Sequence, residues 1–249
     1  MNLHTERWEE AQKKEAEYWK QESFRDSEFK ELVTKYSKLF ARIEKDYYFD
    51  DSFKILDLGC GATCPSILFT RGKKYGVDPL AGSFLQTDKE KLDGKINLSE
   101  GRGEEIPFAD DYFDVILCRN ALDHMDNLQE VFSEMKRVAK ENAVIILSVY
   151  VYAPFIFFLK TTTEHIPFLR NIEHPFTFTQ GRFRKLCEKD FEILEEQIIF
   201  EGKNSIDYGK QDVHMSEPLL NKVIAWLNRY VFLSDWFLRE YLLICRSRT

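Results

Sequence analysis

From residue 53 onward the chain alternates short apolar runs with helical segments, and this alternation restricts its fold more than any other feature. The runs fall at 53–58, 74–78, 95–99, 113–118 and 143–150. Several are apolar nearly throughout rather than at every second position, as expected of strands buried on both faces. Between the last two lies 128–139, where Val131, Met135 and Val138 recur at helical spacing. A helix near 181–188 and further strands at 191–200 and 240–245 extend the series. Strands separated by helices predict an α/β fold: a doubly wound, Rossmann-like, mostly parallel sheet of seven strands.

Residues 5–48 read as helices. Charges dominate Glu6 to Arg25, with Trp8, Ala11, Ala16, Tyr18 and Trp19 as sparse apolar positions. Farther on, Leu32, Tyr36, Leu39, Phe40 and Ile43 recur at spacings of three and four. We read 1–50 as an N-terminal helical cap on the edge or mouth of one domain over 51–249. That domain carries insertions at about 151–180 and 202–235. The first opens on an aromatic loop, Tyr150 to Leu159, suited either to core packing or to an apolar or aromatic ligand. The second holds an apolar helix, 218–233, that fits a core element, a lid or a homodimer contact.

Bulk properties exclude several functions. The net charge is −7 and no long run of Lys and Arg occurs, so no nucleic-acid partner is expected. The five cysteines include no CxxC pair, and neither His nor a third Cys neighbours Cys60 and Cys64, so no metal site is expected. Free thiols and a charged rather than apolar N-terminal stretch point to a cytoplasmic protein. The apolar stretch 143–159 contains Ser148, Tyr150, Tyr152 and Pro154 and is shorter than the ~20 residues of a span, so no transmembrane segment is expected.

The first strand ends in Asp57-Leu58-Gly59-Cys60-Gly61-Ala62-Thr63. Glycines there let the backbone turn sharply and a ligand approach the main chain. Asp57 can orient the turn or meet an ammonium group through water. The second strand ends in Asp78, which can accept hydrogen bonds from both hydroxyls of a ribose or act as a turn residue before Pro79. Loop and acid together favour a nucleoside ligand. A dinucleotide loop needs a third glycine where Cys64 stands, followed here by Pro65, so nicotinamide and flavin dinucleotides fit poorly.

These segments resemble the class I S-adenosylmethionine-dependent methyltransferases, closest to the small-molecule branch called methyltransferase type 11. Ile55 to Gly61 is similar to the family's first motif and Tyr75 to Pro79 to its second. Glu104 to Ile116 matches the run into the fourth strand, and Arg119 to Met125 the segment after it. Residues 173–195 and 239–246 resemble the family's closing strands, the last antiparallel. The resemblance implies S-adenosylmethionine as cofactor and S-adenosylhomocysteine as product, with a small-molecule methyl acceptor. It sets Gly59, Cys60 and Gly61 against the methionine part, with Asp57 near its ammonium. It assigns Asp78 to the ribose, Pro79 and Leu80 to adenine, Gly103 and Glu104 to the adenine edge, and Asn120 to the methionine and ribose side. Tyr18 and Trp19 become a lid. Two positions depart from the pattern: Thr63 replaces a common third glycine, and Arg102 replaces an acid that binds the adenine amino group.

His124, with Asp123 beside it, is the first candidate for a base acting on the acceptor; His165 and His174 lie in the aromatic insertion. Each could equally be a packing or helix-start residue. A non-catalytic protein binding the same cofactor, or a nicotinamide-dependent oxidoreductase, are the alternatives to a methyltransferase.

Overall fold

In a computed structural model, residues 3–19, 22–83, 92–163, 176–201 and 238–248 are described. They include two N-terminal helices, α1 (Leu3–Trp19) and α2 (Glu22–Asp46), and seven strands. The strands are β1 (Lys54–Leu58), β2 (Lys73–Asp78), β3 (Asn97–Glu100), β4 (Phe113–Arg119), β5 (Ala139–Tyr152), β6 (Phe191–Glu201) and β7 (Leu238–Ser247). Helix α3 (Leu128–Val138) precedes β5, while α4 (Pro154–Thr163) and α5 (Gln180–Cys187) follow it. The sheet order is β3-β2-β1-β4-β5-β7-β6, parallel except for β7, which pairs antiparallel with both β5 and β6.

The apolar runs are buried on both faces, and the side-chain period of two divides them between two cores. Leu56, Leu58, Ile116, Cys118, Ile145 and Leu147 pack with Val131, Phe132, Met135 and Val138 of α3. Ile55, Val115, Leu117, Val144 and Ile146 pack on the other face against Leu32, Tyr36, Phe40 and Ile43 of α2. Thus α2 forms a layer over one sheet face, beyond the edge or mouth placement expected of it. Helix α3 starts at Asn127, whose side-chain oxygen accepts from the backbone N–H groups of Gln129 and Glu130 at 3.1 and 3.4 Å.

Two boundaries differ from the sequence reading. Strand β5 begins four residues before the expected 143, because Ala139 pairs with Phe113 across an irregularity in the ladder. The aromatic run after β5, expected as a loop, forms α4 with Pro154 at its first position, where a missing N–H costs nothing. Phe155 and Phe158 of α4 are 69% and 65% exposed. Within 173–195, the described part contains α5 before β6 starts at Phe191. His165, His174 and the helix expected at 218–233 lie outside the described residues. No described helix is long and apolar enough to cross a membrane.

Candidate active site

The chain runs outward through β1, β2 and β3, then crosses back to β4 beside β1. Ligands in such sheets bind where strand order reverses, beyond the carboxyl ends of the strands. A cleft opens there, lined by the β1 loop, the ends of β2 and β4, and α1.

The β1 loop is built on close approach. Gly59 has φ +68° and donates its N–H to the Val77 carbonyl at 2.8 Å. A Cβ on Gly59 would lie 2.4 Å from the Ala121 Cβ, so the loop and the post-β4 segment touch through this missing side chain. Gly61 also has positive φ, at +53°. Asp57 is fully buried beneath the loop, and its Oδ2 accepts from the Ser66 N–H at 2.7 Å. It does not line the cleft, so of its two sequence readings this bond supports the turn-orienting one. Thr63, in place of a third glycine, is buried and lines the cleft.

Asp78 ties the loop to β2. Its Oδ2 accepts from the Gly61 N–H at 3.0 Å and its Oδ1 from the Leu80 N–H at 2.8 Å. Each oxygen keeps a lone pair beyond these bonds. The carboxylate is only 8% exposed yet lines the cleft. Burial pushes its pKa up to about 6, against the pull of the Leu80 and Gly61 N–H groups, with Glu15 raising it further and His124 lowering it. Burial likewise raises Asp57 to about 6. Pro79 lines the cleft, whereas Leu80 does not and contributes its N–H to Asp78.

Gly101, Arg102, Gly103 and Glu104 form one wall. A Cβ on Gly103 would meet the Met125 sulfur at 2.9 Å. Glu104 Oε1 accepts from the Asp126 and Asn127 N–H groups at 2.7 and 3.1 Å, anchoring the wall to the start of α3. Arg102 pairs with Glu104 at 3.4 Å, and its guanidinium lies 3.9 Å from the centre of the Trp8 ring. Trp8 therefore brings α1 over this wall. The side chains of Tyr18 and Trp19 lie outside the described part.

The lining also includes Arg119, Asn120, His124, Met125 and Tyr150. His124 Nδ1 is 3.4 Å from Glu15 of α1, and its Nε2 is 3.9 Å from Asp123, which is buried behind the lining. Asn120 takes φ +47° and donates its N–H to the Ser148 carbonyl at 2.8 Å. Cys60 lines the cleft while packing against Cys64 and Leu92. Its thiol is raised well above the usual range, by Cys64 first and burial second, so it stays protonated near neutral pH. Among the described residues no cluster of three His, Cys, Asp or Glu could hold a metal ion.

Residues 56–147 match the methyltransferase-domain family. This segment, which runs from β1 into β5, is similar to that family. The chain is 32% identical over 129 residues to the uncharacterized methyltransferase YcgJ of Bacillus subtilis, covering 49% of each chain. It is 30% identical over 94 residues to the sarcosine/dimethylglycine N-methyltransferase of Aphanothece halophytica, covering 35% of this chain and 34% of the relative. The match thus spans about half or less of each of these relatives. In fold, the chain is similar to a putative sarcosine dimethylglycine methyltransferase from Galdieria sulphuraria (TM-score 0.64, 16% identity, 84% of each chain). It is similar also to YcgJ itself (TM-score 0.59, 21% identity, 84% of this chain and 98% of that one).

The matched segment contains Asp57, Gly59, Cys60, Gly61, Asp78, Pro79, Leu80, Gly103, Glu104, Asn120, Asp123 and His124. Trp8, Glu15, Glu28 and Tyr150 also line the cleft but lie outside that segment, and the sequence reading did not select them as site residues. Trp8 carried a usable signal, since it is an isolated large apolar residue in a charged helix. Arg119 was legible too, as a charge closing an apolar strand.

Proposed function

We propose that this chain is an S-adenosylmethionine-dependent methyltransferase acting on a small-molecule acceptor. The observation that carries the reading is the Asp78 carboxylate: buried at the cleft, fixed by two backbone N–H groups, with lone pairs left for a ribose diol. The remaining assignments follow around it. Gly59, Cys60 and Gly61 take the methionine part, Pro79 flanks the adenine, and Gly103 and Glu104 form its edge. Asn120 fits the polar tail, because its buried Oδ1 has no hydrogen-bond partner. Relatives such as the sarcosine/dimethylglycine N-methyltransferase support an acceptor of small size.

The bound sulfonium supplies an activated methyl group whose leaving sulfide needs no proton. The chain's own task is then alignment and exclusion of water. Helix α1 covers the cleft through Trp8 and Glu15. His124, held between Glu15 and Asp123, can take a proton from an oxygen or nitrogen acceptor. Tyr150, the first residue of the aromatic run, lines the cleft and can face an acceptor.

Calorimetric titration of S-adenosylhomocysteine beside NAD tests this reading. Only the former binds, and its affinity falls about tenfold between pH 7 and pH 5 as Asp78 protonates through about 6. The sign for stability is opposite. Between the ordinary carboxylate range and about 6, the folded chain holds protons on Asp57 and Asp78 that the unfolded chain lacks, so acid strengthens their contribution to folding. Weaker binding at pH 5 therefore reports the ribose contact and not loss of fold through these two groups. Uptake of NAD instead, or of neither ligand, contradicts the proposal.

A further inference from the structure

Outside the cleft lining, α4 presents a surface that the proposed function does not use. Phe155 and Phe158 stand three residues apart, on one face of the helix, and both are exposed. Among the described residues only Tyr48 leaves more of a large apolar side chain exposed. The hydroxyls of the last turn are satisfied within the helix. Thr161 donates to the Phe157 carbonyl at 3.0 Å and Thr162 to the Phe158 carbonyl at 2.7 Å.

Charge singles out the same corner. The chain has a net charge of −7, yet α4 and α5 contain no Asp or Glu. Helix α4 carries Lys160, which donates to the Tyr152 hydroxyl at 3.1 Å, and α5 carries Arg182, Arg184 and Lys185. The two helices meet there, with the Arg182 guanidinium 4.5 Å from the centre of the Phe157 ring. Arg184 pairs with Glu188 and Glu196. Arg182 and Lys185, also three apart and exposed, share one face of α5.

Exposed phenylalanines bordered by cations suit the interface of an anionic bilayer, where rings enter the headgroup boundary and cations meet lipid phosphates. The acidity of the whole chain does not oppose this, because screening over about 8–10 Å at physiological salt leaves the nearest charges in control. A second copy fits less well. Across a two-fold axis the corner would set Arg182 and Lys185 against the same cations, and a head-to-tail contact would not close. We propose that α4, flanked by α5, docks this chain peripherally on an anionic lipid surface. Helix α4 leaves β5 at the sheet end where the cleft opens, just after Tyr150 of the cleft lining, so docking places the cleft mouth near the lipid. The docking is independent of which cofactor the cleft holds.

Co-sedimentation of the full chain with lipid vesicles tests this. The protein sediments with vesicles of equal parts phosphatidylcholine and phosphatidylglycerol, and at least about fivefold more weakly with phosphatidylcholine alone. Phe155→Ser combined with Phe158→Ser lowers the apparent affinity on the order of tenfold or more, as loss of two inserted rings requires. Arg182→Gln combined with Lys185→Gln lowers it on the order of 20-fold, about fivefold per cation. All four side chains are exposed, so both variants fold, which thermal melting checks. Sedimentation with neither vesicle, or undiminished in either variant, overturns the proposal. So does a mass that rises with protein concentration without lipid and falls in the phenylalanine variant, which would give the surface to a second copy.

Discussion

Replacing Asp78 with alanine lowers the affinity for S-adenosylhomocysteine by about one to two orders of magnitude. Hydrogen bonds to a charged group contribute roughly 1.5–3 kcal/mol each, and a ribose diol presents two donors to one carboxylate. The substitution also strips the Gly61 and Leu80 N–H groups of their acceptor, so the β1 loop loses its tie to β2. Some of that loss is offset, since a buried carboxylate raised to about 6 was already held at a cost in its ionised form. Binding therefore suffers more than stability. Calorimetry alongside thermal melting separates the two, and full affinity in a folded variant refutes the ribose contact.

Replacing Gly59 with alanine destabilises the fold by about 2–5 kcal/mol. Roughly 1–2 kcal/mol comes from an L-residue at left-handed φ, and about 1–3 kcal/mol from forcing a methyl into packed surroundings. The clash is severe because the atom met at 2.4 Å is the Cβ of Ala121, which has no rotamer to move. Gly94 provides the control. Its φ is +70°, close to the +68° of Gly59, but a Cβ there meets nothing within 4 Å. Gly94→Ala therefore costs the backbone part alone, and denaturant unfolding should separate the variants by at least about 1 kcal/mol. Equal losses would mean that the loop does not press on the segment after β4.

The sheet was legible because its strands are short, apolar and bounded by turns. β1, β2, β4 and β6 agree with the sequence reading within about two residues, the usual uncertainty of a strand end. β5 was under-read at its start, since Lys140, Glu141 and Asn142 have no apolar signature and join the strand only through their neighbours. The aromatic run was mistaken for a loop because bulky side chains hide helical periodicity when several are exposed. α2 was read correctly as a helix, yet its role as a sheet layer depends on which face the crossover covers.

The loop glycines and Asp78, which line the cleft, were selected from local pattern, because turn chemistry and strand ends are local. Asp57 left two roles open, and its bond to the Ser66 N–H supports the turn-orienting one. The cluster on buried Glu240, whose Oε1 accepts from Tyr36, Asn120 and Ser148 with Arg119 beside it, was invisible. Tyr36, Arg119, Ser148 and Glu240 are dispersed over 204 positions and meet only when three strands and α2 are packed. Nothing in the surrounding residues marks Glu240, which shares β7 with two other charged residues, Arg239 and Arg246.

The most direct measurement is a crystal structure grown with S-adenosylhomocysteine. The account predicts both ribose hydroxyls within hydrogen-bonding distance of Asp78, about 2.5–2.7 Å for O–H to carboxylate, with the adenine between Pro79 and Gly103. A cleft filled by the protein's own side chains, or a nucleoside whose ribose lies away from Asp78, would contradict it.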